Sequence, residues 1–337
     1  MKKKNKKSLI FGLNGQDGSL MANLLLKKNY KVAGVTNNKN YKNLELLGIK
    51  NKIKIINCNI KSYKKIRQII NNVSPDEIYN FAGISTLHES ENDILNNDLV
   101  NNHSVLNIMF SIIQTNKKIK FFQSLSSELF KKKYKKNIIN EKSKFDINNC
   151  YSIAKISSFY YLKFLRKKYN LNFYSGFLFN HTSFYAKNKF IIKKIVENLY
   201  KIKKNKLKKM YIGNLNVKRD WMDAEDLILI IWQIMQQKKA DDFVIGSGQL
   251  TSLKTVINEV AKNFALKIKW KINKNNPVGI NLQNNKIIIQ ADKKLGRKEP
   301  NFAVANIAKI KKKLNKFKIK NINEIIKKMC KQEQRGF

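Results

Sequence analysis

Apolar residues in the first half of the chain recur with two alternating periods. Short apolar runs, such as residues 8–13 and 31–35, are typical of buried strands, and each is followed by a longer stretch with apolar residues at helical spacing. Because parallel strands need helical crossovers, this β-α-β-α order predicts a doubly wound parallel sheet with right-handed connections. The predicted strands are 8–13, 31–35, 52–58, 77–83, 119–126 and 172–180, and the predicted helices are 19–29, 63–73, 99–113 and 151–170.

The regular alternation weakens after about residue 181. Helical spacing persists in several stretches, but only two strand-like runs remain. This pattern predicts an α/β fold in which a smaller C-terminal α/β lobe lies over the carboxyl edge of the parallel sheet. The helices expected in this part are 190–202, 226–237, 252–264 and 321–331, and the strands are 242–247 and 267–272.

The charge balance is strongly basic, with 68 Lys and Arg against 23 Asp and Glu, a formal excess of +45. Such a balance indicates either a polyanion-binding protein or a compositional drift. Lys, Asn and Ile are abundant together, and all three have A/T-rich codons, so drift is the favoured interpretation. A positive field would still draw an anionic small molecule toward its site.

The cysteines and the N-terminus limit the compartment and the kinds of site. Cys58, Cys150 and Cys330 are odd in number and lack the spacing of a metal site, so we expect reduced thiols, a cytoplasmic protein and no metal centre. The basic N-terminus is followed by an apolar stretch too short for a signal peptide or membrane anchor. With 43% hydrophobic residues, the 337-residue chain can bury a substantial core.

A glycine-rich turn directly follows the first predicted strand. Gly12, Gly15 and Gly18 have the spacing G-x-x-G-x-x-G and precede a predicted helix. Glycine allows a tight turn and a close backbone approach to a pyrophosphate, and the N–H groups that begin the helix point at that anion. The context predicts a dinucleotide site, and the alternative is an ordinary strand-to-helix turn.

The segment after the second predicted strand bears on which dinucleotide binds. Sites for NAD usually carry an acidic residue here, which would repel a ribose phosphate. Thr36, Asn37, Asn38 and Lys39 include no acid, which favours NADP. They also include no arginine, so NAD stays an alternative.

Tyr151 and Lys155 lie four residues apart on a predicted helix and so project from one face. Tyrosine, with a reference pKa of about 10, is a poor base at neutral pH. A neighbouring ammonium and a positive nicotinamide ring would favour the phenolate. The lysine could also hold the ribose hydroxyls of the nicotinamide.

Ser126 and Glu128 stand at the end of the fifth predicted strand, where ligands of open α/β sheets bind. Ser126 could hydrogen-bond a sugar hydroxyl or Tyr151, and Glu128 could serve as a second acid or base. The alternative is that both belong to a helix cap or turn.

Together, these features resemble extended short-chain dehydrogenase/reductases, which have a Rossmann sheet, and most closely the GDP-mannose 4,6-dehydratase family. The similarity runs from residue 12 to about 257, with a looser similarity to about 315. The glycine turn and the Tyr-Lys pair specify only the superfamily, whereas the later segments are typical of the dehydratases. The segments that carry the resemblance include GLNGQDGSLMANLLLKKNYKVAGV, PDEIYNFAGIS, FFQSLSSELF, YSIAKISSFYYLKF, GFLFNHTS, YIGNLNVKRDW and DDFVIGSGQLTSLKTVI.

The resemblance implies a lyase reaction on a nucleotide sugar by an internal redox cycle, in a pathway of deoxysugar biosynthesis. The catalytic positions of the family correspond to Ser126, Glu128, Tyr151 and Lys155. Tyr151 would take the proton of the carbon-4 hydroxyl, and Glu128 would remove the carbon-5 proton and assist loss of the carbon-6 hydroxyl as water. NADP would be the cofactor and GDP-mannose the expected substrate.

Binding residues are also implied by the resemblance. His181 could be a ligand contact or a hydrogen-bonded structural residue. Arg219 could bind the diphosphate or form a salt bridge with Asp220 or another acid. The cofactor contacts implied are Gly12, Gly15, Gln16, Asp17, Gly18, Asn37, Asn59, Ile60, Ala82, Ser85, Tyr151, Lys155 and His181. The substrate contacts implied are Ser85, Ser126, Glu128, Asn180, Gly213, Asn214, Arg219 and Arg297, with Leu215 in the same loop.

The domain boundaries follow from the same comparison. Residues 1–180 would form the dinucleotide-binding unit, with a return of the chain to it near 217–247. Residues 181–216 and 248–337 would form the substrate lobe. A homodimer is expected, and a tetramer stays open because asparagines replace the family's arginine pair at 37 and 38.

This sequence departs from the family pattern at several binding positions. Residues 182–186 replace the family's Glu-Ser-Pro-Arg-Arg, Asn59 replaces an aspartate, Cys150 a proline and Lys131 a glycine. The expected catalytic set is untouched. The alternatives are a related nucleotide-sugar reductase, epimerase or decarboxylase, and a non-catalytic basic nucleic-acid-binding protein on the same scaffold.

Overall fold

The computed structural model describes residues 5–84, 90–130, 136–273, 276–292, 295, 302–314 and 317–336. Sixteen strands and eleven α-helices are assigned within these ranges. The strands are β1 Lys7–Phe11, β2 Lys31–Thr36, β3 Lys54–Asn57, β4 Glu77–Asn80, β5 Lys120–Ser126, β6 Lys136–Ile139, β7 Phe173–Leu178, β8 Asn180–Thr182, β9 Met210–Ile212, β10 Lys218–Asp223, β11 Asp242–Ile245, β12 Leu250–Ser252, β13 Ile268–Asn273, β14 Asn276–Asn281, β15 Lys286–Ala291 and β16 Phe302–Ala305. The helices are α1 Gln16–Lys27, α2 Lys42–Leu46, α3 Tyr63–Val73, α4 Glu91–Asp98, α5 Ser104–Thr115, α6 Cys150–Tyr169, α7 Ile191–Lys203, α8 Ala224–Met235, α9 Leu253–Asn263, α10 Ala308–Lys313 and α11 Ile322–Gln334.

The main sheet has seven strands, all parallel, in the order β11-β7-β5-β4-β1-β2-β3. Each predicted strand of the first half is present, and β11 joins the sheet at its far edge. The order places β1 in the interior of the sheet, between β4 and β2. The carboxyl ends of β5, β4, β1 and β2 therefore follow one another along a single edge.

Helices cover both faces of this sheet. On one face, α1 and α8 pack through residues such as Met21 and Ile231 onto Ile10 of β1. On the other face, α3, α5 and α6 pack around Leu9 and Phe11. Successive residues of β1 thus point into opposite cores, as the period of a strand requires. The doubly wound α/β prediction is confirmed.

The C-terminal part contains smaller sheets around a second core. A four-stranded sheet has the order β13-β14-β15-β9, and a three-stranded sheet has the order β12-β10-β8. Helices α7, α9 and α11 pack together in this core through residues such as Val196, Ile257 and Ile326. This is the smaller α/β lobe that the sequence pattern predicted.

Several short strands were not anticipated from sequence. One is β10, which has the sequence KRDWMD and contains four charged residues. It is a strand because it pairs in parallel with β8 and antiparallel with β12. Tertiary pairing has overridden a poor strand pattern here, as often happens for short strands.

The cysteines form no disulfide bond among the described residues. Cys58, Cys150 and Cys330 are free and buried. Among the described residues, no helix is both long and apolar enough to cross a membrane.

Gly18 gives a direct test of how closely the first turn packs. A Cβ atom at Gly18 would lie 2.2 Å from the carbonyl oxygen of Gly12, so Gly18→Ala should force the start of α1 away from β1. We expect a loss of about 1–3 kcal/mol in the free energy of unfolding, measured by urea denaturation.

Gly15→Ala is the matched control. Its Cβ atom would meet only the Gly12 oxygen, at 3.4 Å, and Gly15 has a φ of −70° that alanine adopts easily. Equal destabilisation of the two variants would contradict the packing argument.

Candidate active site

The glycine turn lies where the ends of three strands meet. Gly12 has a φ of +82°, and a Cβ atom there would lie 2.7 Å from the amide nitrogen of Ala82, just after β4. The amides of Gly12 and Leu13 both donate to the carbonyl of Val35 on β2, at 3.1 Å. The turn is therefore held directly at the carboxyl edge of the sheet.

The start of α1 offers backbone donors to an anion. Its N-cap is Gly15, which supplies no side-chain hydrogen bond to the first turn. Uncapped N–H groups at a helix N-terminus favour a phosphate, and the missing side chain at Gly15 leaves room for it. Asn14 adds a buried side-chain oxygen without a hydrogen-bond partner in the described part of the chain. A ribose hydroxyl would satisfy this acceptor, so the residues present fit a dinucleotide.

Gln16 and Asp17 connect this turn to the strand β8. The Asp17 carboxylate is 3.0 Å from Nε2 of His181, and the Ser183 hydroxyl donates to Oε1 of Gln16 at 2.8 Å. These contacts join residues more than 160 positions apart. The predicted cofactor residues Gln16, Asp17 and His181 are thus brought together.

The partners of His181 define its protonation state. Its Nδ1 lies 2.8 Å from the carbonyl oxygen of Phe179, and its Nε2 faces the Asp17 carboxylate. A carbonyl and a carboxylate are both acceptors, so this setting favours the imidazolium, in which both ring nitrogens donate. Burial lowers the pKa of His181, but the charge and hydrogen bond of Asp17 and the Phe179 carbonyl outweigh burial and raise it above 6.5. Burial likewise raises the pKa of Asp17, and His181 reverses this to a net lowering.

Tyr151, Ser126 and Glu128 converge at the end of β5. Tyr151 lies in the first turn of α6, whose start is fixed by a capping box between Asn149 and Ser152. Its side chain hydrogen-bonds that of Ser126, and its charged form interacts with Glu128. The Ser126 hydroxyl also accepts from the Glu128 amide at 3.2 Å. The three predicted catalytic side chains therefore form one group, and the turn role of Ser126 is present as well.

The surroundings of Tyr151 within the chain raise the pKa of its phenol. Burial is the largest cause, the Ser126 hydrogen bond lowers the pKa, and the Glu128 charge raises it, with the result near 12. At pH 7 such a phenol costs roughly 7 kcal/mol to ionise. The chain alone keeps Tyr151 protonated, so its use as a base depends on what binds beside it.

Lys155 is buried at the ends of β4 and β5. Its ammonium donates to the carbonyl of Ser124 at 3.2 Å, and burial lowers its pKa to about 8. A Cβ atom at Gly83 would lie 3.4 Å from the same nitrogen. Lys155 therefore faces the narrow space beside Gly83 and retains ammonium protons for a further acceptor.

Asn101 is a site-neighbouring residue that the sequence analysis missed. It is fully buried in a π-helical turn, Leu99–His103, and accepts from the amide of Ile84 while donating to its carbonyl. A Cβ at Gly83 would lie 2.9 Å from its side-chain oxygen. Asn101 thus holds the loop after β4 beside Lys155. The sequence signal for this role was an asparagine within an apolar helical pattern.

Four of the predicted substrate residues lie on β10 or next to it. Asn180 on β8 pairs with Trp221 on β10, and Asn214 forms the turn that leads into β10. Gly213 and Leu215 flank Asn214. Arg219 is half-buried on β10, and one of its guanidinium nitrogens donates to the carbonyl of Lys218 at 3.0 Å.

Asp220 was the alternative partner considered for Arg219. Its carboxylate instead accepts from the amides of Ser247, Gly248 and Ala305 and from the Ser247 hydroxyl. Successive side chains on a strand point to opposite sides, so Asp220 faces away from Arg219.

The end of β2 is held by asparagine amides. Asn14 donates to the backbone and side-chain oxygens of Asn38, at 3.1 and 3.0 Å, and Asn38 also accepts from the amide of Asn40. Asn37 and Lys39 are exposed on the same loop. Asn38 is therefore a loop-forming residue, and no carboxylate stands at residues 36–40.

The remaining predicted contacts lie along the same edge or outside the described residues. Asn59 and Ile60 follow β3, where the amide of Cys58 donates to Thr36 of β2 at 2.9 Å. Ser85 and Arg297 lie outside the described residues. Within the described ranges, no group of three or more His, Cys, Asp or Glu side chains could hold a metal ion.

Comparisons with known proteins place this arrangement in a family. Residues 9–329 match the family model described as GDP-mannose 4,6 dehydratase. The chain belongs to the GDP-mannose 4,6-dehydratase family. It is 28% identical to the GDP-mannose 4,6 dehydratase of Dictyostelium discoideum, over 98% of this chain and 96% of the relative. It is 30% identical to that of Homo sapiens, over 91% of this chain and 86% of the relative.

A solved structure supports the fold of this family member. The dTDP-glucose 4,6-dehydratase of Bacillus anthracis, solved in complex with NAD, superposes with a TM-score of 0.79 at 16% identity. The match covers 98% of this chain and 97% of the other. At this identity the likeness shows the extended Rossmann fold, whereas the family match shows a dehydratase.

The Asp17–His181 pair predicts a particular pH dependence. The pKa of His181 is raised, so its contribution to stability is full below 6.5 and is lost as the pH rises through the raised value. The lowered pKa of Asp17 means that its contribution is lost only in acid. Asp17→Asn should therefore cost about 2 kcal/mol of unfolding free energy near pH 6 and less in alkaline solution.

Histidine NMR provides the site-specific readout. In the Asp17→Asn variant, burial remains without the compensating charge, so the His181 pKa should fall to 6.5 or lower. The NMR signal of the exposed His103 is the internal control and should be the same in the two proteins. A His181 pKa that the substitution leaves unmoved would show that the ion pair does not exist in solution.

Proposed function

We propose that this family member converts GDP-mannose to GDP-4-dehydro-6-deoxymannose, with NADP as resident cofactor. The observation that carries the proposal is the convergence of Tyr151, Ser126 and Glu128 at the end of β5. A reductase or an epimerase needs a tyrosine acid-base residue, but only an elimination needs the additional carboxylate. Glu128 therefore favours a dehydratase over these related activities.

The cofactor is assigned to the edge that begins at the glycine turn. Gly12, Gly15, Gly18 and the start of α1 would hold the pyrophosphate, and Lys155 would hold the ribose beside the nicotinamide. When bound, a nicotinamide dinucleotide supplies a hydride acceptor for carbon 4 of the hexose and a hydride donor for carbon 6. The other contacts assigned to the cofactor are Gln16, Asp17, Asn37, Asn59, Ile60, Ala82, Ser85, Tyr151 and His181.

Among these residues, Asp17 and His181 would support cofactor binding indirectly, through their contact with each other. Both ring nitrogens of His181 already have acceptors, and one of them is Asp17. The imidazolium neutralises a carboxylate at the start of α1 that would otherwise repel a phosphate. In this way His181 would support dinucleotide binding without giving up its present partners.

Tyr151 and Lys155 would act on the carbon-4 hydroxyl. Tyr151 takes the hydroxyl proton as that carbon is oxidised. The pKa near 12 makes this transfer unfavourable in the chain alone. A cationic ring and the Lys155 ammonium beside the phenol would lower the cost of the phenolate, and Ser126 would hold the phenol oxygen in place.

Glu128 would carry out the elimination. Oxidation at carbon 4 acidifies the proton on carbon 5, and Glu128 removes that proton. The same carboxyl group then protonates the carbon-6 hydroxyl, which leaves as water. Carbon 6 then gains a hydride, and carbon 5 gains a proton that balances the one Tyr151 took from the carbon-4 hydroxyl. The product therefore has the composition of the substrate less one water, and no cofactor is consumed.

Substrate recognition is assigned to the sheet around β10. Arg219 would bind the diphosphate through its guanidinium fork, and Asn180, Gly213 and Asn214 would contact the nucleotide sugar. Ser85 and Arg297 keep their expected roles from sequence. Residues 1–180 with 217–247 would form the dinucleotide-binding unit, and residues 181–216 and 248–337 the substrate lobe.

NADP is preferred over NAD in this proposal because of charge. Residues 36–40 carry no carboxylate, and Lys39 is exposed beside Asn37. A chain with a formal charge of +45 also attracts the additional phosphate. The three buried free thiols agree with a cytoplasmic enzyme.

Product analysis of the wild type and two variants tests the mechanism. Wild-type enzyme should convert GDP-mannose to a product lighter by one water, with no net change in nicotinamide absorbance. Tyr151→Phe should lose about 10²–10⁴-fold in turnover because proton transfer is lost. Glu128→Gln should lose dehydration to a similar extent but still oxidise carbon 4, seen as a nicotinamide absorbance change in a single turnover.

Tyr169→Phe, in the last turn of the same helix, is the control and should leave turnover unchanged. If the wild-type reaction consumed cofactor stoichiometrically, the enzyme would be a reductase and the dehydratase assignment would be wrong. Undiminished dehydration in Glu128→Gln would remove that residue from the mechanism.

A homodimer is part of the proposal, and α6 carries the evidence. Its residues Ile153, Tyr160, Tyr161 and Phe164 form one exposed apolar stripe, with Phe164 58% exposed. The neighbouring segment from α4 to α5 exposes Leu95, Leu99 and Phe110.

A second copy of the chain is the occupant that fits this face. Two copies that each carry +45 need buried apolar surface to offset their repulsion, and the stripe on α6 supplies it, with Lys168 packed over the ring of Phe164 at one end. Adjacent helices can pair with the same two helices of a symmetry mate, which gives a self-complementary apolar interface.

Phe164→Lys tests the interface, because two lysines would meet near the symmetry axis. Light scattering should report a dimer for the wild type and a monomer for the variant. Tyr211→Lys introduces the same charge at an exposed aromatic residue on β9 and should remain dimeric. A monomeric wild type, or a dimeric Phe164→Lys variant, would contradict the assignment.

A further inference from the structure

Asp220 is a fully buried carboxylate that lies next to Arg219 on β10. Its Oδ1 accepts from the amide and the hydroxyl of Ser247, at 2.7 and 2.6 Å. Its Oδ2 accepts from the amides of Gly248 and Ala305, both at 3.0 Å. One side chain thus joins β10 to the turn before β12 and to the end of β16.

The surrounding backbone is shaped to this carboxylate. A Cβ atom at Gly246 would lie 2.6 Å from the Cβ of Ala305 and 3.0 Å from Oδ2 of Asp220. Gly248 has a φ of +76°, which turns its amide toward the same oxygen. The two glycines allow the turn to approach closely enough for both amides to donate.

The charge of Asp220 is held by neutral donors. Burial raises the pKa of Asp220, and the hydrogen bonds from Ser247, Ala305 and Gly248 offset this only in part. Burying a carboxylate without a cation is costly, and apolar residues of similar volume often stabilise a core better. A gain in stability therefore does not explain why Asp220 is buried here. The residues that Asp220 holds in position explain it better.

Asp220 is well placed to fix Arg219. On β10, Arg219 pairs with Thr251 and Asp220 pairs with Leu250, directly after the turn that Asp220 holds. The other edge of β10 pairs Trp221 with Asn180 of β8. Arg219 lies on the same strand as Asp220, and Asn180 lies on β8, which pairs with that strand. The positions of both assigned substrate residues therefore depend on how β10 is held.

We infer that Asp220 is a positioning residue for diphosphate binding, which it serves by holding Arg219 in place from the opposite side of β10. This inference rests on the proposed function, since it assigns the diphosphate of the substrate to Arg219. It assigns Asp220 no contact with the ligand.

A double-mutant cycle in the full-length protein tests the inference. The dissociation constant of GDP is measured by titration calorimetry for the wild type, Asp220→Asn, Arg219→Ala and the double variant. Asp220→Asn should weaken binding about tenfold, because an amide group would face N–H donors. If Asp220 acts through Arg219, the double variant should bind no more weakly than Arg219→Ala.

Two further variants separate positioning from a general loss of stability. Asp242 is a buried carboxylate of the main sheet that bonds Ser175 and Arg166, so Asp242→Asn should lower the unfolding midpoint but change GDP affinity less than twofold. Ser247→Ala removes one of the four hydrogen bonds and should weaken GDP binding about threefold in a well-folded protein. Turnover should show a raised KM with kcat little changed in both Ser247→Ala and Asp220→Asn.

The outcomes distinguish this inference from the proposed function. If UDP or dTDP binds in place of GDP, the substrate assignment is wrong, and the cycle with that diphosphate still tests Asp220. Additive losses in the double variant, or an equal loss of affinity in Asp242→Asn, would overturn the inference while leaving the dehydratase intact. A wild type that binds none of the three diphosphates would overturn both.

Discussion

A Cβ atom at Gly12 would lie 2.7 Å from the amide of Ala82, and one at Gly18 would lie 2.2 Å from the carbonyl of Gly12. This mutual approach of β1, α1 and the segment after β4 leaves no room for side chains. It sets the helix N-terminus at the carboxyl edge of the sheet, beside the loop that Asn101 holds next to Lys155. The end of β5, with Ser126 and Glu128, then lies one strand beyond β4.

Several of the few acidic residues form hydrogen bonds or ion pairs with residues that are distant in the sequence. In a chain with 23 acids against 68 basic residues, any buried carboxylate is a strong local determinant of structure. At the start of β4, the Glu77 carboxylate accepts hydrogen bonds from Lys6, Tyr30 and Tyr79. Asp17 joins the glycine turn to β8, and Asp220 joins β10 to β16. The surplus of lysine stays mostly on the surface, where it supplies a general positive field.

The protein itself shifts the pKa values of two residues of the site, Tyr151 and Lys155. Burial raises the pKa of Tyr151 to about 12 and lowers that of Lys155 to about 8, so each is driven toward its neutral form. In a buried site of this kind, a charge that enters has a stronger effect than it would have in water. The chain alone keeps the tyrosine protonated, and a cationic group beside the phenol would favour the phenolate.

Features encoded within one element were accessible from the sequence. The period of apolar residues predicted six strands of the main sheet and the helices α1, α3, α5 and α6, although it did not predict α2, α4 or β6. The glycine spacing predicted the turn, and Tyr151 and Lys155 lie on one face of α6 because their separation is about one helical turn. The sequence alone could not supply contacts between residues far apart, such as Asp17 with His181 or Asp220 with Ala305, nor the strand identity of β10. The physical reason is shared: desolvation, strand pairing and polar contacts across the chain arise only when the elements pack, whereas periodicity and spacing are already present in the unfolded chain.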